Sequence, residues 1–225
     1  MAEFDKFAHR YREILDASVG LSGESSDYFA EAKARYLARL LPDDFDGKVL
    51  DYGCGVGLVS MHLATWLPNA ELHGFDVSAE SIAEVPEPLR KNGRFTSETD
   101  ALDSDYDAVL IANVLHHIPP SERQARIDEL AARLRPSGRL VIVEHNPLNP
   151  ATRWVVAHCP LDDDAVLLGR RESVRLVERA GLGPARVDYI VFFPRFLSAL
   201  RDFEPRLRWL PLGAQYAVIG RARAV

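Results

Sequence analysis

Cysteine is scarce in this chain: 225 residues include only Cys54 and Cys159. Two thiols cannot staple a chain of this length, and neither stands at a spacing that would hold a metal ion with other Cys or His residues. No stretch approaches the roughly 20 consecutive apolar residues that span a bilayer, which argues against integral membrane contact. The opening MAEFDKFAHRYREIL is charged throughout and lacks the apolar segment of an export signal, so a reducing cytoplasm is the expected setting. Internal repeats, low-complexity tracts and linkers are also missing, and a single domain over residues 1–225 is expected. Basic residues are in deficit as well, 27 against 33 acidic for a net charge of −6. Such a chain is a poor general binder of nucleic acid, because non-specific affinity comes from Lys and Arg neutralising phosphates. The charge is uneven: residues 1–110 carry 10 basic and 21 acidic residues, net −11, and residues 111–225 carry 17 and 12, net +5.

What is present is a periodic α/β texture. Phe4, Phe7, Tyr11, Ile14 and Leu15 predict a short helix over 4–15. A second runs from residue 27 to Pro42, with Ser25, Ser26 and Asp27 as candidate caps. Residues 1–46 therefore read as an N-terminal helical cap. Short apolar runs at 48–52, 70–75, 107–112 and 139–144 predict buried parallel strands, separated by helices over 58–67 and from a capping box at 121–124 to a stripe ending at Leu134. A helix over 171–180 and strands over 185–193 and 214–221 follow. Segments 147–169 and 192–212 read as insertions on the substrate side. The second interleaves Phe192, Phe193, Phe196 and Phe203 with Arg195, Arg201, Arg206 and Arg208, a pattern open to three readings: a lid, a dimer face or an anionic contact.

The strongest chemical signal lies between the first strand and its helix. Gly53, Gly55 and Gly57 let the backbone pass close to a ligand and free the first N–H groups of the helix to face it. Asp76, 19 residues after Gly57 at the end of the next strand, stands where a carboxylate can accept hydrogen bonds from both hydroxyls of a ribose. Asp51 ends the first strand. Its charge would repel a pyrophosphate but suits a ligand with an ammonium or sulfonium group, so a nicotinamide dinucleotide is disfavoured.

At these residues the chain resembles the class I S-adenosylmethionine-dependent methyltransferases. VLDYGCGVG, HGFDVS, YDAVLIANVLHHIP and LRPSGRLVIVEHN match that family's ordered motifs over residues 48–146. The resemblance implies a Rossmann-like three-layer α/β sandwich with a seven-stranded, mostly parallel sheet whose last strand is reversed. It also implies S-adenosylmethionine as cofactor and S-adenosylhomocysteine as product; the histidines lack metal-site spacing, so no metal is expected. Asp51, Gly53, Cys54, Gly55 and Gly57 would line the methionine and sugar side, with Asp76 and Val77 at the ribose. Thr99, Asp100 and Ala101 would stand at the adenine, Asn113, Val114 and His117 would face the sulfonium, and Tyr11 would close over it.

Methyl transfer needs alignment of a nucleophile with the S–CH₃ bond and, for a neutral OH or NH, removal of its proton. His145 is the first candidate base and His117 the second. Asn146, His158, Asp162, Asp164 and Tyr28 are candidate contacts to a small-molecule acceptor. The acceptor atom is open between O, N and C, and the chain is expected to act as a monomer or homodimer. Non-methylating chemistry on the bound cofactor, such as a cyclisation, and a catalytically silent partner subunit are the alternatives.

Overall fold

Seven strands form one sheet in the computed structural model, which describes residues 8–223. They are β1 (Lys48–Tyr52), β2 (Glu71–Phe75), β3 (Arg94–Thr96), β4 (Tyr106–Ala112), β5 (Leu134–His145), β6 (Arg186–Ile190) and β7 (Gln215–Arg221). Their order is β3-β2-β1-β4-β5-β7-β6. β1 pairs in parallel with both β2 and β4, and β4 with β5, whereas β7 runs antiparallel between β5 and β6. This is the sandwich expected, with its reversed last strand.

Both faces of the sheet are buried, which is why the central strands are apolar without alternation. Leu50, Val109, Ile111 and Ile142 point into one core with Ile127 and Leu130 of α6 (Arg123–Ala132) and Leu176 and Val177 of α8 (Arg170–Arg179). Val49, Leu110, Val141 and Val143 point into the other, with Leu37 of α2 (Ser26–Ala38) and Leu63 of α3 (Leu58–Trp66). The chain builds outward from β1 to β3, then crosses back to lay β4 on the other side of β1. Strand order reverses between β1 and β4, and open α/β sheets hold ligands in the crevice beyond the carboxyl ends at such a point.

Several boundaries differ from expectation. The first helix is α1 (Tyr11–Val19), and Phe4 and Phe7 lie outside the described residues. No side chain of the Ser25 cap position bonds the start of α2; Asp16 of α1 accepts the Ser26 N–H instead, at 2.6 Å. The capping box at 121–124 does not form, because Gln124 donates to Asp128 and to the Leu176 carbonyl. Leu134 leaves the helix and pairs with Tyr106, so β5 starts before Pro136 rather than after Gly138. β6 stops at Ile190 because Val191 turns left-handed, φ 59°, a costly conformation for a β-branched residue. Helices α4 (Ala79–Glu84) and α5 (Glu87–Asn92) and the short β3 were not legible, each offering too few apolar positions for a period.

The two insertions also have defined structure. Segment 147–169 forms α7 (Pro150–Ala157) and a 3₁₀ turn at Pro160–Asp162, and segment 192–212 forms a 3₁₀ helix (Arg195–Phe203) and the short α9 (Glu204–Leu207). No described helix is long and apolar enough to cross a membrane.

Leu110→Ala should lower unfolding free energy by about 2–5 kcal/mol, since its side chain is fully enclosed and a cavity would remain. Denaturant titration checks it; a loss within the noise of surface substitutions would contradict the two-sided core.

Candidate active site

The turn after β1 is fixed by the end of β2. The N–H groups of Gly53 and Cys54 both donate to the Phe75 carbonyl, at 2.7 and 2.9 Å. Gly53, Gly55 and Gly57 all have left-handed φ, 78°, 52° and 78°. A Cβ on Gly53 would come within 2.2 Å of a Val114 methyl group, so this position excludes any side chain. Asp76 then accepts the Gly55 N–H at 2.8 Å through Oδ2 and the Ser78 N–H at 2.9 Å through Oδ1.

Asp51 lies beneath the turn, 2% exposed, and accepts the Ser60 hydroxyl at 2.6 Å. Burial raises its pKa to about 6, opposed by the Ser60 bond and by Lys33. Lys33, on the inner face of α2, is itself lowered to about 8 by burial, against the pull of Glu144, Asp51 and Asp162. The Tyr11 ring lies 3.7 Å from where a Gly55 Cβ would stand, so α1 roofs the glycine turn. Burial, then the charges of Asp76 and Asp162, push its phenol up. Val77 is exposed beside Asp76, and Thr99–Ala101 form a 3₁₀ turn beyond β3 at the outer edge of the same crevice.

A second group of side chains gathers past the ends of β4 and β5. Glu144, fully buried, accepts the N–H groups of Val114 and Leu115 at 3.2 and 2.8 Å, and its other oxygen lies 2.6 Å from His116 Nδ1. Across the ring, His116 Nε2 is 3.4 Å from Asp162 Oδ1. Burial alone would lower the His116 pKa, but the two carboxylates outweigh it and raise it to about 9. His117 Nδ1 lies 3.1 Å from Asp164 Oδ1, and its Nε2 is 3.5 Å from the same Asp162 oxygen. Burial and the charge on His116 lower the His117 pKa. Asn113, at φ 59°, brings its amide to 2.6 Å from His145 Nε2, and Gln215 donates to the Asn113 oxygen at 3.2 Å. Burial, then His116, lower His145 to about 3, so its ring is neutral and accepts the Asn113 N–H.

Three of the expected acceptor contacts lie elsewhere. Asn146 is 1% exposed and spends its amide on the carbonyls of Gly213 and Pro211, pinning the end of the 192–212 segment. His158 stacks on Trp154, ring centroids 4.3 Å apart, and bonds the Trp154 carbonyl. It lines a cleft of about 380 Å³ between α1 and α7 with Arg10, Glu13 and Ile14, and this cleft includes neither the glycine turn nor Asp76. Tyr28 lies under the Arg201 guanidinium, 4.2 Å from its ring centre. Arg201 also pairs with Glu24, and Arg208 with Asp188, so these arginines fasten the 192–212 segment to the body of the protein. Lys33, Ser60, Glu144 and Gln215 were missed. Glu144 had a signal, a carboxylate closing the apolar run RLVIV, as did Lys33, standing in the inward stripe of α2.

Residues 26–183 match the model of a family described as a methyltransferase domain. The ubiquinone/menaquinone biosynthesis C-methyltransferase UbiE of Syntrophotalea carbinolica is 30% identical over 155 residues, covering 65% of this chain and 62% of its own. Methyltransferase GfsG of Streptomyces halstedii is 31% identical over 174 residues, covering 70% and 62%. The chain thus spans under two thirds of these relatives. Others are named as ribosomal RNA small subunit and ribosomal protein L11 methyltransferases. Among solved structures, a possible histamine N-methyltransferase of Thermotoga maritima superposes with a TM-score of 0.68 at 16% identity, covering 98% of each chain. The chain belongs to the family described as a methyltransferase domain.

The residues present fit S-adenosylmethionine, the cofactor that the sequence resemblance implies: a left-handed glycine cradle, a carboxylate at the end of β2 able to receive a ribose, and a buried Asp51 able to face a cationic end. Asp51 is ionised above about 6 and neutral below, so its attraction for a cation fades as pH falls through that value. In calorimetric titration, S-adenosylmethionine affinity should decline on acidification by up to about tenfold per pH unit, and less in Asp51→Asn. Equal slopes in both proteins would remove Asp51 from the site.

Proposed function

We propose that this enzyme transfers a methyl group from S-adenosylmethionine to an O, N or C nucleophile of a small-molecule acceptor. The carrying observation is the roof over the crevice. Tyr11 covers Gly55, and α1 packs against α7 and the 160–162 turn, so the chain's own helices enclose the carboxyl ends of β1 and β4. An enclosed crevice admits a small molecule more readily than a folded RNA or protein, and the net charge of −6 opposes RNA. The relative named as a ubiquinone/menaquinone biosynthesis C-methyltransferase supports this reading.

The cofactor supplies a methyl group already activated on a sulfonium, and the chain supplies position and a place for the acceptor's proton. Asp51, Asp76 and the glycine turn hold the nucleoside and its cationic end. The role expected of His145 moves: a ring with a pKa near 3, engaged by Asn113, is a weak base and acts as a fixed acceptor in the floor of the site. His117 stays unprotonated at neutral pH and is the better proton acceptor, oriented by Asp164. Asp162 supplies negative charge on the acceptor side.

The buried thiols of Cys54 and Cys159 suit a reducing cytoplasm. Exposed Phe196, Phe203 and Trp209 on the 192–212 segment leave both monomer and homodimer compatible with the surface.

Radiolabelled S-adenosylmethionine offered with quinols, phenols and amines beside total RNA and ribosomal protein tests the acceptor class. Label is expected in the small-molecule fraction; label confined to RNA or protein would overturn the proposal. Asp76→Ala should weaken S-adenosylhomocysteine binding by about 1.5–3 kcal/mol, the scale of hydrogen bonds to a charged group. Unchanged binding would place the nucleoside elsewhere.

A further inference from the structure

In the cluster of His116, His117 and Asp162, one buried ring nitrogen, Nε2 of His116, is left without a hydrogen bond. His116 Nε2 is buried, belongs to a side chain 1% exposed, and finds no hydrogen-bond partner; Asp162 Oδ1, its neighbour, stands 3.4 Å away. That is longer than the roughly 2.7–2.9 Å of a charge-assisted bond. His117 Nε2 stands 3.5 Å from the same oxygen. On the far side of each ring, Nδ1 is held by a second carboxylate, Glu144 for His116 and Asp164 for His117.

We infer that His116, His117 and Asp162 form a binding site for a divalent cation of the zinc type, with imidazole nitrogens and one carboxylate oxygen as ligands. A tetrahedral ion with bonds of ~2.0–2.1 Å keeps its ligand atoms about 3.3–3.4 Å apart, matching the two spacings to Asp162. One ligand atom from each of the three residues lies within 4.8 Å of the other two. Histidine ligands characteristically donate their other N–H to a carboxylate, which fixes the tautomer and leaves Nε2 to the metal, and both rings here are held that way. Two nitrogens and one oxygen leave a coordination position for an exogenous oxygen, the arrangement of a catalytic rather than a structural site.

A second cluster supplies the contrast. Glu71, His73 and Asp103 are equally close, but both ring nitrogens of His73 are taken, by Glu71 and the Tyr106 hydroxyl, and Asp103 is held by Lys48 and Arg94. Its histidine has no ring nitrogen to spare. The spacing along the chain hid the first cluster, because Asp162 comes from the 147–169 insertion, 45 residues after His117.

Resting on the reading of this cluster as the acceptor side, the bound ion would hold an acceptor oxygen and let its O–H proton leave to solvent. His117 would then be a ligand, and no protein base would be needed.

The test uses the metal alone. Protein stripped by chelator dialysis is titrated with Zn²⁺, bound metal is counted by mass spectrometry after desalting, and Co²⁺ serves as a spectroscopic probe of tetrahedral ligation. About one ion per chain is expected in the native protein. Asp162→Asn and His117→Gln should lose it, the exposed Asp164→Asn should weaken it by about tenfold or more, and His9→Gln, far from the cluster in sequence and exposed, should leave it unchanged. S-adenosylhomocysteine binding, measured on each variant without metal, reports whether the cofactor half is intact. Absence of zinc binding in the native protein, or equal binding in Asp164→Asn and His117→Gln, would overturn the site while leaving the methyltransferase reading standing.

Discussion

The arrangement of the site depends on one buried carboxylate. Glu144 sits at the end of a strand whose neighbours are fully enclosed, where an ionised side chain is tolerated only if its acceptor positions are filled. They are filled by the segment that follows β4: two backbone N–H groups at 114 and 115 and the His116 ring. Removing that carboxylate would leave the same donors buried and unmatched. The bond network therefore sets where Asn113, Val114, His116 and His117 stand relative to the glycine turn.

Charge in the site is balanced rather than merely acidic. Asp51, Asp76, Glu144 and Asp162 converge on the crevice, and Lys33 and His116 answer them from two elements distant in sequence. The acidic first half of the chain contributes the carboxylates at the glycine turn, while much of the basic second half is consumed internally, as Arg201 on Glu24 and Tyr28 and Arg208 on Asp188 show. The charge asymmetry thus describes how the 192–212 segment is fastened, and it does not mark a ready anion-binding surface.

The strand, glycine turn and helix at 48–66, Asp76 at the end of β2 and the reversed β7 were all legible, because each depends on contacts among near neighbours in sequence or on a period that burial imposes. The acceptor side was less so. Asn146 and His158 looked like site residues by position after β5, yet one is turned into a loop anchor by the carbonyls of Pro211 and Gly213 and the other is held outward by Trp154. Lys33 and Glu144 were passed over because a lone charge inside an apolar pattern has no meaning until its partners are known.

Sequence alone determined the class of fold and the glycine turn with its neighbouring aspartates, since left-handed glycines and a strand-terminal carboxylate are local requirements of backbone conformation and hydrogen bonding. Tertiary structure decided which histidine is charged, which is neutral and which side chains meet. A pKa is set by burial and by charges brought from elsewhere in the chain, and the approach of Asp162 to His116 and His117 exists only once the 147–169 segment has folded over the ends of β4 and β5.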